Sequence, residues 1–364
     1  MKLSDFKLKR IDRYIIKQFL GTFAFIILMI IAIVVVFDIN EKIEHFLKPQ
    51  VTIYEIVVDY YANFIPYFIG LFSPLFTFIA VIFFTSRLAD RSEIIAMLSN
   101  GVSLNRLMFP YLISATIIAS GNYLLSAYVV PKANVARIEF QNTYIKDKKV
   151  EYGRNIQLEV EPGIIAYFDN YQAQSSTGNR FSLDHFKDKQ LISRLTATSI
   201  KYDSLYQWTI HNYIIRDFDG MYEHRSFGAR KDTTLTFVPS DFLISESDCE
   251  TMTSPELAKH IRRQKQRGIG NVQLFEIEYH QRYATIMSFF ILTVIGLSLS
   301  SRKIKGGMGL NIGIGLGLSF SYVLFSKISS TFAISGLVSP MIAVWVPNVL
   351  YIFVTVYLYK KAPR

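Results

Sequence analysis

Six stretches of this sequence contain no Asp, Glu, Lys or Arg, and each has roughly 20 residues or more. They cover residues 18–37, 60–86, 107–130, 283–301, 306–326 and 340–359. A helix of about 20 mostly apolar residues spans the hydrocarbon core of a bilayer, because each residue advances the helix by about 1.5 Å. The sequence therefore predicts an α-helical polytopic membrane protein with six transmembrane helices, and it excludes a soluble fold.

The excess positive charge lies next to these stretches and on one side of them. Residues 1–17, 87–106, 302–305 and 360–364 hold 15 Lys and Arg against 4 Asp and Glu, whereas the rest of the chain holds 24 against 25. Enrichment in Lys and Arg is typical of the cytoplasmic loops of membrane proteins. We therefore expect both termini to be cytoplasmic, and we expect no nucleic-acid partner despite the net charge of +10.

The region between the third and fourth stretches has a different pattern of apolar and polar residues. Apolar and polar residues alternate at 156–160 and 208–213, and turn residues such as Pro162-Gly163 separate these runs. Short strands with this spacing predict a sandwich or jelly roll. Its apolar face is either a packed core or a surface that grips an acyl chain. Ser254, as an N-cap, and Pro255 then open a short helix.

These patterns divide the chain into three parts. Residues 1–130 are predicted to hold transmembrane helices one to three, with a cytoplasmic coupling helix at about 88–100. Residues 131–270 are predicted to form an inserted all-β, jelly-roll-like domain that ends in the short helix, and residues 271–364 to hold helices four to six.

The predicted coupling helix has its own start and stop signals. Asp90 and Glu93 resemble a capping box, and Asn100-Gly101 is a typical helix stop. A short amphipathic helix between two spans can lie on the lipid surface or insert into a groove of a cytosolic partner. The sequence leaves both readings open. Glycines at 309, 313 and 317 in the fifth span likewise indicate either ordinary helix packing or a gate helix that moves.

Catalytic and metal-binding patterns are lacking in this sequence. It has one cysteine, Cys249, no CxxC, HExxH or GxSxG motif, and no Walker A motif that could bind ATP. No predicted span carries a pair of carboxylates or histidines for acid–base chemistry. We therefore predict that the chain is not an enzyme and binds no cofactor or metal. Any ATP hydrolysis would come from a separate cytosolic subunit.

Three motifs and their order along the chain resemble the LptF/LptG permease family, also called YjgP/YjgQ. They are Arg87–Ile94 with Asn100–Ser103, Glu278–Arg282 before the fourth span, and Trp345–Asn348 in the sixth. The strand-rich insert also falls between spans three and four, as in that family, so the resemblance covers nearly the whole chain. It does not separate LptF from LptG.

This resemblance implies a function and its partners. Members of the family are transmembrane subunits of the ABC transporter that extracts lipopolysaccharide from the bacterial inner membrane. Each pairs with the paralogous LptF or LptG subunit above an LptB-like ATPase dimer and passes lipid to LptC- and LptA-like periplasmic proteins. The β domain would then be periplasmic. Two alternatives are a membrane-anchored scaffold and a transporter subunit for a different envelope lipid.

The resemblance also implies two sets of site residues. The helix that couples the subunit to its ATPase would involve Arg91, Glu93, Ile94, Met97 and Gly101. Candidates to hold the lipid phosphates are three lysines at the outer ends of spans one and five, which could equally be interfacial residues that extend their charge toward water: Lys42, Lys48 and Lys327.

Overall fold

A computed structural model describes residues 9–145, 152–187, 190–239, 242, 246–266, 272–301 and 307–362. The chain divides into two compact units. Residues 1–145 together with 276–364 form a helical unit, and residues 146–275 form a second unit that is built mainly from strands.

Helices account for all the described secondary structure of the helical unit. Six helical segments of the described chain are long and apolar enough to cross a membrane, which confirms the predicted number of spans. The α-helices of the described residues are α1 (Arg10–Phe46), α2 (Ala62–Asp90), α3 (Glu93–Ser99), α4 (Leu104–Leu124), α5 (Val130–Phe140), α6 (Glu246–Thr251), α7 (Ser254–Gln266), α8 (Gln273–Ser300), α9 (Gly307–Ile334) and α10 (Pro340–Lys361). Three short π-helical segments adjoin them: Glu55–Tyr61, Leu125–Val129 and Gln141–Ile145.

The helix of the third span continues beyond its predicted end. We expected it to end at Pro131, but α4 continues through a π-helical turn, Leu125–Val129, directly into α5. Pro131 directly follows this π-helical turn, and such a turn shifts the hydrogen-bond pattern so that a proline fits into a continuous helix. The helical rod therefore runs to Ile145, and the predicted domain boundary at residues 130 and 131 falls inside it.

Buried polar groups join the helices of this unit. Thr85 of α2 and Tyr111 of α4 share a hydrogen bond of 3.0 Å between their hydroxyls. The Asn348 amide on α10 donates to the Ala284 carbonyl on α8 at 2.9 Å and accepts from the Tyr322 hydroxyl on α9, also at 2.9 Å. In an apolar environment each satisfied polar group fixes the register of the helices that it connects. These bonds therefore lock α2 to α4 and α10 to α8 and α9.

A single antiparallel sheet dominates the second unit, and its strands follow one another in chain order. This arrangement confirms the expected all-β insert between spans three and four and fits a jelly-roll-like domain. The strands are β1 (Tyr152–Glu161), β2 (Ile164–Gln172), β3 (Thr177–Lys187), β4 (Gln190–Ser204), β5 (Gln207–Asp219) and β6 (Tyr222–Thr234).

One row of residues creases the sheet. The ladder pairs on either side place Arg180, Thr198 and Asn212 in one row, at which the regular pairing of β3, β4 and β5 is interrupted. Arg180 and Asn212 have φ values of 50° and 49°, which non-glycine residues seldom adopt in strands. The inward face changes parity across this row, because Ala197 and Ile200 are both buried although they are three residues apart. The period-two alternation expected of a flat strand is therefore broken at the crease.

The inner face of the sheet is a packed core. After β6 the chain places Phe237 and Phe242 against Phe168 and Trp208, and all four rings are buried. The Trp208 indole N–H donates to the Phe237 carbonyl at 3.1 Å. Burial also raises the pKa of the neighbouring Tyr171 hydroxyl to about 12. The inner face of the sheet is therefore filled by the side chains of this unit.

Candidate functional site

Helix α3 is shorter than the predicted coupling helix at about 88–100. Leu88 to Asp90 form the last turn of α2, and the chain then breaks at Ser92, which adopts a left-handed conformation with φ of 60°. Asp90 is therefore not an N-cap as expected, because a left-handed residue cannot continue the helix that precedes it. The separate helix begins only at Glu93 and ends at Ser99.

The predicted helix stop is confirmed. Gly101 has φ of 83°, its N–H donates to the Leu98 carbonyl at 3.0 Å, and the Val102 N–H donates to the Met97 carbonyl at 3.1 Å. These two bonds define a Schellman motif, which needs a residue that tolerates the left-handed region. Gly101 therefore sets the point at which the chain turns from α3 into α4.

One side of α3 is fixed to the helical unit and the other is exposed. Ile94 is completely buried in the same core as Ile15 and Leu104, and Met97 packs partly against that core. Arg91 and Ile95 are exposed, and Glu93 is partly exposed with its carboxylate 4.0 Å from the Arg91 guanidinium. Ile94 therefore anchors the helix, whereas Arg91, Glu93 and Ile95 form its accessible edge.

Two side-chain contacts tie this region to α1. The Tyr14 hydroxyl donates to the Glu93 carboxylate at 3.4 Å. Next to this contact in the chain, Asp12 is 3% exposed and accepts from the Arg106 guanidinium of α4 at 2.5 Å and from the Lys9 N–H at 2.7 Å. Sequence reasoning missed Asp12 and Arg106. The available signal was an acid within the basic segment 1–17.

The far end of α1 holds the second predicted set of residues. The Lys42 ammonium contacts the Asp38 carboxylate and the Tyr60 hydroxyl, and the Tyr61 hydroxyl donates to Asp38 at 3.0 Å. Only 17% of the Lys42 side chain is exposed. In this structure its charge is therefore already balanced by a carboxylate one turn away on the same helix.

The other two candidate lysines lie in more open positions. Lys48 donates to the Tyr144 carbonyl at 2.8 Å, and Lys327 is exposed on α9. Among the described contacts none joins Lys327 to Lys42 or Lys48. A further cation that the sequence reasoning did not select, Arg137 of α5, is buried and stacks 3.9 Å from the centre of the Tyr67 ring.

The spans differ strongly in how well the chain itself covers them. Within their most apolar windows, 17% of residues are buried in α1 and in α9, against 61% in α8. A methyl group added at Gly309, Gly313 or Gly317 would meet no atom within 4 Å. These glycines therefore do not serve helix packing within this chain, so α1 and α9 present faces that only lipid or another protein can cover.

These features agree with a comparison against known families. The model of the lipopolysaccharide export system permease LptF/LptG matches residues 13–361, which is nearly the whole chain. The chain belongs to the LptF/LptG permease family. Comparison with curated proteins gives no match. Permeases of this family are transport subunits rather than enzymes, so the site of interest is a set of contacts and not a catalytic centre.

Proposed function

We propose that this chain is one of two transmembrane subunits of an ATP-driven exporter. It would extract lipopolysaccharide from the bacterial inner membrane and pass it to a periplasmic protein bridge. The observation that carries the proposal is α3, a short helix between two spans that is anchored by the buried Ile94, stopped by Gly101 and accessible along its charged edge. This is the geometry needed to transmit movement from a cytosolic ATPase dimer.

Glu93 is the residue best placed to receive that movement. Its contacts with Tyr14 and Arg91 are long, at 3.4 Å and 4.0 Å, so a stronger cation on a partner can replace them. A charge-assisted hydrogen bond of that kind contributes about 1.5–3 kcal/mol. Arg91 and the exposed Ile95 would complete the contact, while Ile94, Met97 and Gly101 hold the helix in position.

The movement would reach α1 by two routes. Glu93 bonds Tyr14 directly, and α3 is followed by α4, whose Arg106 holds the buried Asp12 of α1. Because α1 is covered poorly along its middle, its position depends on such contacts at its ends. A shift of α3 would therefore tilt α1 against the rest of the helical unit.

Lipid entry and pairing with the paralogous subunit would use α1 and α9. Both helices expose large apolar side chains, among them Phe25 and Phe37 on α1 and Phe320 on α9. The open glycines of α9 allow another backbone to approach closely. Lys48 and Lys327 would hold the lipid phosphates directly. Lys42 would do so by exchanging Asp38 for a phosphate oxygen.

The second unit would hand the lipid on. Among the described strands β6 pairs with β5 alone, so this 13-residue strand forms one edge of the sheet. Such an edge is a template for a strand from another protein. We assign this edge to an LptC- or LptA-like partner, with the β unit periplasmic and both termini cytoplasmic. The charge distribution along the sequence supports this orientation.

Purification of the tagged chain in mild detergent, followed by mass spectrometry of its proteins and lipids, tests the proposal. We expect a copurifying ATPase, a paralogous subunit and bound lipopolysaccharide. Copurification of the ATPase with a different lipid would favour a transporter for another envelope lipid. Periplasmic partners without any ATPase would mean that the chain is a membrane-anchored scaffold.

A further inference from the structure

Helix α7 belongs to the second unit, here called the β unit, and an acidic residue of its first turn caps the start of the helix. The Glu256 carboxylate accepts from the Thr253 N–H at 2.9 Å and from the Thr253 hydroxyl at 2.6 Å, and the Thr253 carbonyl accepts the first helical bond from Leu257. The N-cap is therefore Thr253 and not Ser254 as predicted from the sequence. Glu256 is the acidic residue of α7, so none is left for the basic residues further along.

One face of α7 is fixed to the β unit. Leu257 and Gln264 are buried, and the His260 ring lies 4.4 Å from the ring of Phe275. His260 and Gln264 also share a contact of 3.2 Å between their side-chain nitrogens. Residues three or four apart share one side of a helix, so these contacts also fix the direction in which the opposite side of α7 faces.

The opposite side carries unbalanced positive charge. Lys259, Arg262 and Arg263 are exposed, and no described residue forms a hydrogen bond or ion pair with any of their side chains. Cations of the sheet have acidic partners by contrast, since Arg194 pairs with Asp184 at 2.7 Å and Arg230 with Asp232 at 3.1 Å. On α7, Lys259 lies three residues from Arg262 and four from Arg263, and like charges at these spacings on a helix repel each other. A ligand that supplies negative charge would relieve that repulsion.

We propose that Lys259, Arg262 and Arg263 form a binding surface for the phosphate groups of anionic phospholipids. Arg and Lys both recognise phosphate, and clusters of them bind anionic membrane surfaces. The chain links α7 closely to a predicted span, because seven peptide steps, at most about 25 Å, separate Gln266 from the start of α8 at Gln273. A protein partner fits less well, since no large apolar side chain of α7 is exposed to form the centre of an interface.

The N-terminal part of α8 also supports a lipid surface as the partner of α7. α8 has 28 residues and is about 42 Å long, which exceeds the roughly 30 Å hydrocarbon core. Its first ten residues before the uncharged stretch, Gln273–Arg282, carry Glu276, Glu278 and Arg282. This part of the helix is about 15 Å long, so it crosses the headgroup layer and extends beyond it. α7 is therefore tethered to a segment that leaves the membrane at the level of the lipid phosphates.

A fluorescent probe on α7 tests this binding. The full-length chain with Cys249→Ser and Gln266→Cys is labelled and reconstituted in vesicles of phosphatidylcholine, with or without phosphatidylglycerol. Quenching by lipids that carry a nitroxide on the headgroup reports contact with the membrane surface. We expect severalfold stronger quenching in the presence of phosphatidylglycerol and its loss in high salt.

Matched variants assign the effect to this surface. Lys259→Gln, Arg262→Gln and Arg263→Gln together should abolish the dependence on phosphatidylglycerol, while thermal unfolding stays unchanged because all three side chains are exposed. A control removes three cations of the sheet instead: Arg225→Gln, Arg230→Gln and Lys231→Gln. Equal quenching in both kinds of vesicle, or equal loss in the control, would overturn the proposal. The transported lipid plays no part in this test, so its outcome is independent of the proposed export function.

Discussion

The two ends of α1 are each held by a buried carboxylate, but in different ways. Asp12 is bound by a cation on another helix, Arg106 of α4. Asp38 is bound by Lys42 of its own helix and by the neutral hydroxyls of Tyr60 and Tyr61. One end is therefore a fixed cross-link between helices. The other is a shared network, which can exchange one partner without leaving a bare buried charge.

Removing one partner of the Asp12–Arg106 pair should have the largest effect on stability. Arg106→Leu leaves the Asp12 carboxylate buried without its cation, so we expect a loss of about 3–5 kcal/mol in the free energy of unfolding. Thermal unfolding in detergent measures it. Asp12→Leu combined with Arg106→Leu is the control and should recover most of the stability. A single variant as stable as the double one would mean that the pair does not anchor α1.

Changes at the Asp38 end should cost less. Asp38→Asn keeps an oxygen that accepts from the tyrosine hydroxyls, so we expect a loss of about 1–2 kcal/mol. The Lys42 ammonium should at the same time react faster with an amine-specific reagent, because its carboxylate partner is gone. Tyr61→Phe, which removes a single hydroxyl, is the milder comparison. A loss as large as that of Arg106→Leu would erase the proposed difference between the two ends.

The contact between Tyr14 and Glu93 should contribute least to stability within the helical unit. At 3.4 Å and near the surface it is weak, so Tyr14→Phe should change the free energy of unfolding by no more than about 0.5 kcal/mol. Export per ATP hydrolysed should nevertheless fall in the reconstituted complex, because one route from α3 to α1 is removed. Unchanged export would mean that the movement passes from α3 to α1 through Arg106 and not through Tyr14.

The exposed ion pairs of the sheet should contribute less to stability than the contacts at either end of α1. Arg216 and Arg225 hold the pKa of Glu223 at about 2, below its usual value of 4.5. Because the folded-state pKa is lowered, the stabilisation is present above the unfolded value and is lost as pH falls from about 4.5 to about 2. The difference in unfolding temperature between the full-length chain and its Glu223→Gln variant should shrink over that range. A constant difference would show that the ion pairs do not act on stability.

Features set by local chemistry could be predicted from the sequence. Uncharged length identified the spans because an unpaired charge in hydrocarbon is costly, and Asn100-Gly101 identified the end of α3 because Gly101 tolerates the left-handed region. The helix of span three continues past Pro131, and the sequence carries no sign of this because the π-helical turn that accommodates the proline has no sequence signature.

Features set by distant contacts could not be predicted. Asp12 and Arg106 are 94 residues apart, and neither belongs to a motif with a fixed spacing. The crease at Arg180 and Asn212 depends on neighbouring strands that bend in the same row. A single strand read by its alternation carries no signal of that bend. The candidate lysines were found by position along the spans, but the pairing of Lys42 with Asp38 emerged only from the structure.

In the proposed function, Glu93 on α3 couples this subunit to a cytosolic ATPase. The direct measurement is ATP-dependent release of lipopolysaccharide from vesicles that contain the complete complex with Glu93→Lys. Asp90→Lys, the same charge reversal three residues earlier on an exposed turn, is the matched control. We expect that Glu93→Lys inserts normally but releases no lipid, whereas the control retains release. Release by Glu93→Lys at the rate of the unaltered complex would contradict it.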